Sequence, residues 1–286
     1  MAARSSARTG SKPATAKTRK KETAGSLLRF VLLVAVIAWS FRSFIAQPFD
    51  IPSGSMLPTL YIGDYLVVSK WPYGFSRYSF PFAVPGFHGR IFGRLPKRGD
   101  VVVFRHPSEN ADLIKRVIGL PGDTVAVRDG ALILNGRAVP RQALRPARVA
   151  VSANSPCRPV PPAVPVVLEV SGRAFCGYRA FLETLPGGPS YTVLDQVDGG
   201  PGDDFPVVKV PAGYLFVMGD NRDDSADSRF PPIDGGVGFL PVDHLIGRAS
   251  FTFWSTDGSA SYLKPWTWFT ALRPGRIGNG YTGAEE

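Results

Sequence analysis

The sequence predicts a mainly β protein: an antiparallel β domain with an inserted, loop-rich cap subdomain, preceded by one N-terminal transmembrane helix. Three observations support this fold class. Short runs of β-strand composition recur between residues 64 and 254, and turn signals separate them. The chain contains 31 Gly and 27 Pro, which favour many turns over long helices. One apolar stretch, residues 26–46, is long enough to cross a bilayer.

Residues 1–25 form a basic tail. The formal net charge of the chain is +10, of which this tail carries +6, whereas everything from residue 43 onward carries only +2. A nucleic-acid-binding protein is expected to spread its basic side chains over a folded face. The charge distribution therefore argues against nucleic-acid binding.

Residues 26–46 predict a membrane anchor with the sequence SLLRFVLLVAVIAWSFRSFIA. This stretch has 21 residues, close to the ~20 that span a bilayer, and Arg29 and Arg42 lie near its ends, where long cationic side chains reach the headgroups. A buried core helix and a cleaved secretory signal are the alternatives. No small-residue cleavage site follows closely, which favours a retained anchor. The positive-inside rule then places residues 1–25 in the cytoplasm and residues 47–286 outside it.

The part of the chain after the anchor contains six runs with strand character. Turn signals separate these runs, and Asp129-Gly130 suits a tight hairpin turn. The runs are DYLVVSK (64–70), DVVVFRH (100–106), LIKRVIGL (113–120), TVAVRDGALILNG (124–136), YLFVMGD (214–220) and HLIGRASFTFW (244–254). They predict a mainly antiparallel β structure.

Residues 140–206 differ from the flanking β blocks. They are rich in Pro and Gly and contain both cysteines of the chain, Cys157 and Cys176. We expect an inserted, loop-rich cap here. In an exported domain the two cysteines could form a disulfide, whereas in a reducing compartment they would be small apolar side chains, and the sequence leaves this open. Their spacing fits no metal site.

Two aromatic segments, residues 71–94 and 264–276, allow two interpretations. Both are crowded with aromatic side chains, and the first contains no acidic residue. Exposed segments of this composition are typical of a membrane interface. Packing in the core is the alternative for both.

Residues 51–60, IPSGSMLPTL, predict a rigid loop that presents a hydroxyl group. Gly54 and Pro58 are unfavourable in a strand, and Ile51 and Met56 are more apolar than a linker requires. A serine hydroxyl becomes a good nucleophile only when a neighbouring base removes its proton. If this loop carries a nucleophilic serine, the rest of the sequence must supply its base.

Lys115 is the candidate base. Histidine would be the obvious choice, but none of the three, His88, His106 and His244, has a suggestive setting. Lys115 lies in DLIKRVIGLPGD, where strand alternation places it on one face with Leu113 and Val117. Burial lowers the pKa of a lysine toward neutrality, and a neutral amine beside a serine is a workable general base. The alternative is an edge-strand lysine that extends into water.

Residues 218–230, MGDNRDDSADSRF, predict a loop held by its own hydrogen bonds. Calcium binding is one alternative, but the ligand positions of an EF-hand loop are not filled. A solvated acidic loop is another alternative. Arg222 and Arg229 argue instead for internal ion pairing.

Taken together, these stretches resemble the bacterial type I signal peptidases. The resemblance rests on four segments that follow the anchor in order: IPSGSMLPTLYIGDYLVV, KRGDVVVFRHP, DLIKRVIGLPGD and GDNRDDSADSR. It does not extend to residues 140–206 or to the C-terminal end. It implies a membrane-bound serine endopeptidase that removes N-terminal signal peptides from exported preproteins by Ser-Lys acyl-enzyme catalysis, with no metal and no organic cofactor.

The resemblance also implies roles for individual residues. Ser55 matches the nucleophile, and Lys115 matches the general base. Ser53 matches a hydroxyl that completes the oxyanion hole with the backbone N–H of Ser55, and Ser225 matches a serine that hydrogen-bonds and orients the lysine. Further matches are a supporting charged pair, Asp227 and Arg229, and the lining of shallow pockets for small substrate side chains at −1 and −3, namely Phe49, Ile51, Pro52, Leu113 and Ile114.

The expected partners are signal-peptide-bearing preproteins and the lipid bilayer. The expected location is the bacterial inner membrane, crossed once, with the catalytic domain on the periplasmic side. Contact with the protein translocation machinery is left open. Two rival interpretations are a self-cleaving repressor and a membrane-tethered scaffold. The repressor type is soluble and has a DNA-binding head, for which the tail is too short; in the scaffold, Ser55 and Lys115 would be only structural.

Overall fold

The computed structural model describes residues 24–83, 86–161, 166–261 and 263–281. The basic tail predicted over residues 1–25 therefore lies almost entirely outside the described residues.

Helix α1 (Ala24–Phe44) contains most of the predicted anchor. Its segment Gly25–Phe44 has 20 residues, and within the described ranges it is the one helix long and apolar enough to cross a bilayer. Its apolar side chains are mostly exposed, which is expected for an anchor and not for a core helix. The chain divides into two compact units, one ending at Ala38 and the other beginning at Trp39.

Seventeen strands, one further short α-helix, α2 (Thr267–Thr270), and seven short 3-10 helices follow in the described part of the chain, and the strands confirm the mainly β prediction. The strands are β1 (Ala46–Asp50), β2 (Asp64–Ser69), β3 (Val101–Arg105), β4 (Asp112–Gly119), β5 (Thr124–Arg128), β6 (Ala131–Leu134), β7 (Arg137–Ala138), β8 (Arg141–Ala143), β9 (Ala147–Ala150), β10 (Val166–Val170), β11 (Arg173–Tyr178), β12 (Ala180–Thr184), β13 (Ser190–Leu194), β14 (Phe205–Lys209), β15 (Tyr214–Met218), β16 (Leu240–Pro241) and β17 (Leu245–Ser255).

The largest sheet has seven strands in the order β1-β2-β17-β3-β4-β15-β16. All neighbouring pairs are antiparallel. Strands β3 and β4 lie inside this sheet, and most of their residues are buried, as their Val- and Ile-rich sequences predict. Because β4 lies inside the sheet, its polar side chains, such as Lys115, are buried.

A second sheet has the order β14-β5-β6-β7. Its hairpin between β5 and β6 turns at Asp129 and Gly130, whose φ angles are 47° and 71°. Positive φ at both central residues is what a two-residue hairpin turn of type I′ requires. The hairpin predicted from Asp129-Gly130 is therefore present.

The inserted segment, residues 140–206, is more regular than the loop-rich cap that we expected. It forms two three-stranded antiparallel sheets, β10-β11-β9 and β13-β12-β8. Each strand is short, and the Pro and Gly residues lie mainly between strands, so composition alone obscures them. Cys157 and Cys176 form a disulfide, which settles the question that the sequence left open.

The aromatic segment 71–94 is partly core and partly surface. Tyr73 and Phe80 are buried, whereas Trp71 and Phe92 are 60% and 83% exposed. Arg90 fixes this segment, because its guanidinium donates hydrogen bonds to four backbone carbonyls. These belong to Tyr73, Gly74, Val242 and Leu245. The second aromatic segment, 264–276, exposes Trp266, Trp268 and Phe269.

Candidate active site

The loop between β1 and β2 presents Ser55 against a rigid support. Ile51 and Met56 are buried in an apolar cluster with residues of β2 and β3, and Leu57 is buried in a second cluster with residues of the insertion. The backbone N–H of Leu57 donates to the carbonyl of Gly54 at 3.1 Å, which closes a turn around Ser55. Both flanks of Ser55 are therefore held by the core.

Strand β4 brings Lys115 to this loop. Lys115 is paired with Val102 of β3, and Leu113 and Val117 pack into one apolar cluster with Val102, as the strand alternation predicts. The Lys115 ammonium group lies 2.8 Å from the hydroxyl oxygen of Ser55, and the two residues are 4% and 7% exposed. This contact joins residues 60 positions apart in the sequence.

The protonation of Lys115 is shifted by its surroundings. Burial lowers its pKa from 10.5 to about 8, while the carboxylates of Asp227, Asp224 and Asp220 offset part of this effect. A pKa of about 8 leaves an appreciable fraction of the amine neutral near pH 7. A neutral amine in hydrogen-bond contact with a hydroxyl can accept its proton.

A second buried lysine, Lys70, shows why geometry must decide which lysine reacts. Lys70 is 1% exposed, and burial lowers its pKa to about 8 as well. Its ammonium group donates to the backbone carbonyl of Ser79, a group that has no proton to give. Among the described residues, Lys115 is the lysine that contacts a serine hydroxyl.

The loop that follows β15 supports the opposite side of Ser55. Asp227 and Arg229 form a buried ion pair through contacts of 2.9 and 3.0 Å, and Asp227 also accepts the backbone N–H of Gly219 at 3.0 Å. Gly219 packs against both the Ser55 carbonyl and Ser225, so that a Cβ at this position would overlap them. The internal pairing that we expected for this loop is present for Arg229, whereas Arg222 pairs outside the loop, with Glu183.

Ser53 lies near Ser55, as its expected role in the oxyanion hole requires, whereas Ser225 does not make the hydrogen bond expected of it. The Ser53 hydroxyl lies on the exposed side of the loop, 3.4 Å from the Ser55 hydroxyl. The Ser225 hydroxyl is buried against Gly219 and has no hydrogen-bond partner among the described residues. The expected hydrogen bond from Ser225 to Lys115 is thus absent here, and the orienting role of Ser225 stays a prediction.

The five residues expected to line the substrate pockets do not form one group. Phe49, Ile51 and Ile114 pack into the same apolar cluster. Leu113 points to the other face of β4, into the cluster with Val117, and Pro52 is exposed. The alternation of side chains along a strand separates neighbours such as Leu113 and Ile114.

Sequence reasoning missed a set of buried charges behind the Ser55 loop. Arg116 donates to Asp220 at 2.8 and 2.6 Å, and the Thr59 hydroxyl donates to the same carboxylate at 2.5 Å. Arg222 pairs with Glu183 of the insertion at 2.6 Å. The signal that could have found the first set is the strand alternation itself, which turns Arg116 into the interior on the face opposite Lys115.

The histidines have other partners within the described residues. His106 bonds to the carbonyl of Gly236 at 2.9 Å, and His244 to that of Arg105 at 3.0 Å, while His88 is exposed. None of these contacts involves Ser55. The geometry therefore favours lysine over histidine as the partner of the serine.

One carboxylate cluster in the described residues has the spacing of metal ligands: Asp195, Asp203 and Asp223. Asp195 is paired with Arg141 and Arg179. Asp203 accepts the backbone N–H of Gly200, and Asp223 accepts those of Gln196 and Val197. Protein groups thus satisfy all three carboxylates, and the cluster lies outside the Ser55–Lys115 contact.

Comparison with known proteins gives consistent results. A family model described as signal peptidase, peptidase S26, matches residues 24–254. Signal peptidase I of Rickettsia typhi is 35% identical over 272 residues, which cover 88% of this chain and 90% of that protein. Signal peptidase I of Rickettsia canadensis is 34% identical over 270 residues, covering 87% and 91%.

A crystal structure of a signal peptidase I from Enterococcus faecalis also matches. It covers 55% of this chain and 98% of that chain at 23% identity, with a TM-score of 0.28.

Proposed function

The chain belongs to the signal peptidase family S26, the serine endopeptidases that remove signal peptides, and we propose that Ser55 is its nucleophile and Lys115 its general base. The observation that carries this proposal is the 2.8 Å contact between the Lys115 amine and the Ser55 hydroxyl in a buried setting. A serine needs a base within hydrogen-bond distance, and Lys115 meets that requirement with a pKa of about 8.

The first half of the proposed reaction forms an acyl-enzyme. Neutral Lys115 takes the Ser55 proton as the hydroxyl oxygen attacks the scissile carbonyl. The backbone N–H of Ser55 and the hydroxyl of Ser53 stabilise the negative charge on the tetrahedral oxygen. Lys115 then gives its proton to the leaving amine, and the signal peptide stays bound to Ser55 as an ester.

The second half releases the signal peptide. Lys115, neutral again, takes a proton from a water molecule, and the resulting hydroxide attacks the ester carbonyl. The ester bond breaks, and Ser55 recovers its proton from Lys115. Every proton transfer in the cycle uses the same amine, so the mechanism needs neither a metal nor an organic cofactor.

The remaining site residues are proposed to support this chemistry. Asp227 and Arg229 hold the loop behind Lys115, and Ser225 orients the lysine when substrate is bound. The shallow pockets for the small side chains at −1 and −3 are assigned to Phe49, Ile51, Pro52, Leu113 and Ile114. Phe49, Ile51 and Ile114 already pack together beside the Ser55 loop, which supports their part of this assignment.

Membrane anchoring through α1 fits the family, and we propose the orientation from charge. The basic residues of 1–25 place that end in the cytoplasm and the β domain outside. In sealed, inside-out membrane vesicles, an added protease should remove the tail and leave the β domain intact. Degradation of the β domain in such vesicles would reverse the orientation.

An exposed aromatic surface is proposed to contact the lipid headgroups. Tyr65, Trp254 and Trp268 line one open groove of about 350 Å³. Aromatic side chains with a polar edge prefer the membrane interface. Trp268→Ser should therefore slow cleavage of a preprotein in vesicles but not of a short soluble peptide, and equal effects on both would argue against lipid contact.

The proposed residues are tested with the purified full-length protein in detergent. Wild type should cleave a preprotein after the alanine of an Ala-x-Ala signal end, and mass spectrometry of the products gives the position. Ser55→Ala should be inactive while keeping its melting temperature. Ser190→Ala is the matched control. It removes an exposed serine hydroxyl that hydrogen-bonds to Thr184 and not to Ser55 or Lys115. Cleavage by Ser55→Ala would refute the proposal.

A further inference from the structure

Asn221 donates hydrogen bonds to two consecutive backbone carbonyl groups of the Ser55 loop, those of Gly54 and Ser55. Its side chain is 2% exposed, and its amide nitrogen donates to the carbonyl of Gly54 at 3.1 Å. Its backbone N–H donates to the carbonyl of Ser55, also at 3.1 Å. One residue therefore fixes two consecutive peptide groups of the loop.

The first of these contacts acts directly on the nitrogen of Ser55. The carbonyl of Gly54 and the N–H of Ser55 belong to one planar, trans peptide group, so they point in opposite directions. The Gly54 oxygen accepts hydrogen bonds from the Leu57 N–H and from the Asn221 side chain, and the two donors together fix the direction of the Ser55 N–H. They also polarise the peptide group, which makes that N–H a stronger donor.

Gln196, from the inserted segment, determines which end of the Asn221 amide faces Gly54. The Gln196 side-chain nitrogen donates to the Asn221 side-chain oxygen at 3.1 Å. An asparagine amide can turn over and exchange its donor and acceptor ends, and this contact opposes the exchange. Asp223 in turn accepts the backbone N–H of Gln196 at 2.5 Å, so the insertion is fixed to the same loop.

We propose that Asn221 is a positioning residue that aims and polarises the Gly54–Ser55 peptide group, and that Gln196 keeps its amide in the working orientation. This inference rests on the proposed role of Ser55, whose N–H binds the oxygen of the tetrahedral intermediate. It gives the insertion a function in catalysis through a chain of three hydrogen bonds.

The test compares Asn221→Ala, Gln196→Glu and the double variant in the full-length protein. Loss of a direct oxyanion donor costs about 10²–10³ in kcat. Because Asn221 acts through the peptide group, we expect kcat of Asn221→Ala to fall about tenfold to a hundredfold, with KM within about twofold of wild type.

Gln196→Glu places an acceptor against the Asn221 oxygen, favours the turned-over amide and should also lower kcat. The double variant should be no slower than Asn221→Ala.

Inhibition by a peptide boronate distinguishes positioning from a merely structural role. A boronate bound to the serine hydroxyl is a tetrahedral anion that resembles the intermediate and uses the same Ser55 N–H. Its inhibition constant should therefore rise by the factor by which kcat falls. The pH midpoint of the rate should stay that of wild type. Asn154→Ala is the control, because Asn154 also donates to a backbone carbonyl, that of Thr256 at 2.9 Å, and should leave kcat unchanged.

The possible outcomes distinguish a failure of this inference from a failure of the proposal that Ser55 is the nucleophile. Wild-type kcat in Asn221→Ala overturns the inference, as does a lower kcat with unchanged boronate inhibition. If Asn221→Ala does not fold, Gln196→Glu alone carries the test, and a lower kcat with unchanged boronate inhibition in that variant overturns the inference. Activity in Ser55→Ala would instead overturn the assignment of the nucleophile.

Discussion

The cleavage rate should rise with pH through the pKa of Lys115. The base must be neutral, and burial lowers the pKa of Lys115 to about 8 from the 10.5 of an exposed lysine. About one amine in ten is then neutral at pH 7, against about one in three thousand for a pKa of 10.5. The difference corresponds to about 3 kcal/mol in favour of the neutral form.

The assay is kcat/KM for a fluorogenic Ala-x-Ala peptide between pH 6 and pH 10. We expect a tenfold rise per pH unit below the midpoint, half-maximal activity near pH 8 and a plateau above it. Asp224→Asn removes a carboxylate that raises the pKa of Lys115, so its midpoint should move to lower pH. The variant should then be relatively more active on the acidic side.

Lys70→Met is the control for this prediction. The pKa of Lys70 is also lowered to about 8, but its amine contacts a backbone carbonyl, so the variant should keep the wild-type midpoint at reduced stability. A midpoint near 10.5, or one that vanishes in Lys70→Met, would refute the assignment of the base. A dependence that disappears in His106→Ala or His244→Ala would transfer the role to histidine.

The remaining predictions concern chemistry and stability. Lys115→Arg should cleave no faster than Lys115→Ala, because a guanidinium stays charged, and measurable turnover would contradict the base assignment. Reduction of the Cys157–Cys176 disulfide, which links residues 19 apart, should cost about 3 kcal/mol of unfolding free energy; calorimetry with and without reductant measures it, and an unchanged Tm would argue otherwise. Asp227→Ala leaves Arg229 buried without its partner and should cost about 3–5 kcal/mol in urea unfolding; a change below about 1 kcal/mol would show that the pair is dispensable.

The sequence predicted the strands that frame the site because their apolar runs are long and bounded by turns. The run at 64–70 corresponds to β2, and the hairpin at Asp129-Gly130 requires a backbone that few other pairs adopt. The strands of the insertion were not predicted. They are short, and the Pro and Gly residues between them dominate the composition of residues 140–206.

The contacts of the site were harder to predict than its elements. Alternation along β4 predicts which face carries Lys115, but only the fold brings it to Ser55. The hydrogen bonds of Asn221 to Gly54 and to Gln196 join residues 167 and 25 positions apart, with no local signal in the sequence. Lys70 was missed because a lysine at a strand end is usually solvated.

The identity of the nucleophile is tested most directly by Ser55→Cys. Both native cysteines are in the disulfide, so the introduced thiol is the one free thiol of the protein. We expect this variant to retain partial cleavage and to lose it completely on alkylation of that thiol, while wild type treated in the same way stays fully active. Cleavage that survives complete alkylation of the introduced thiol would contradict the account, because the group assigned to attack the substrate would then be dispensable.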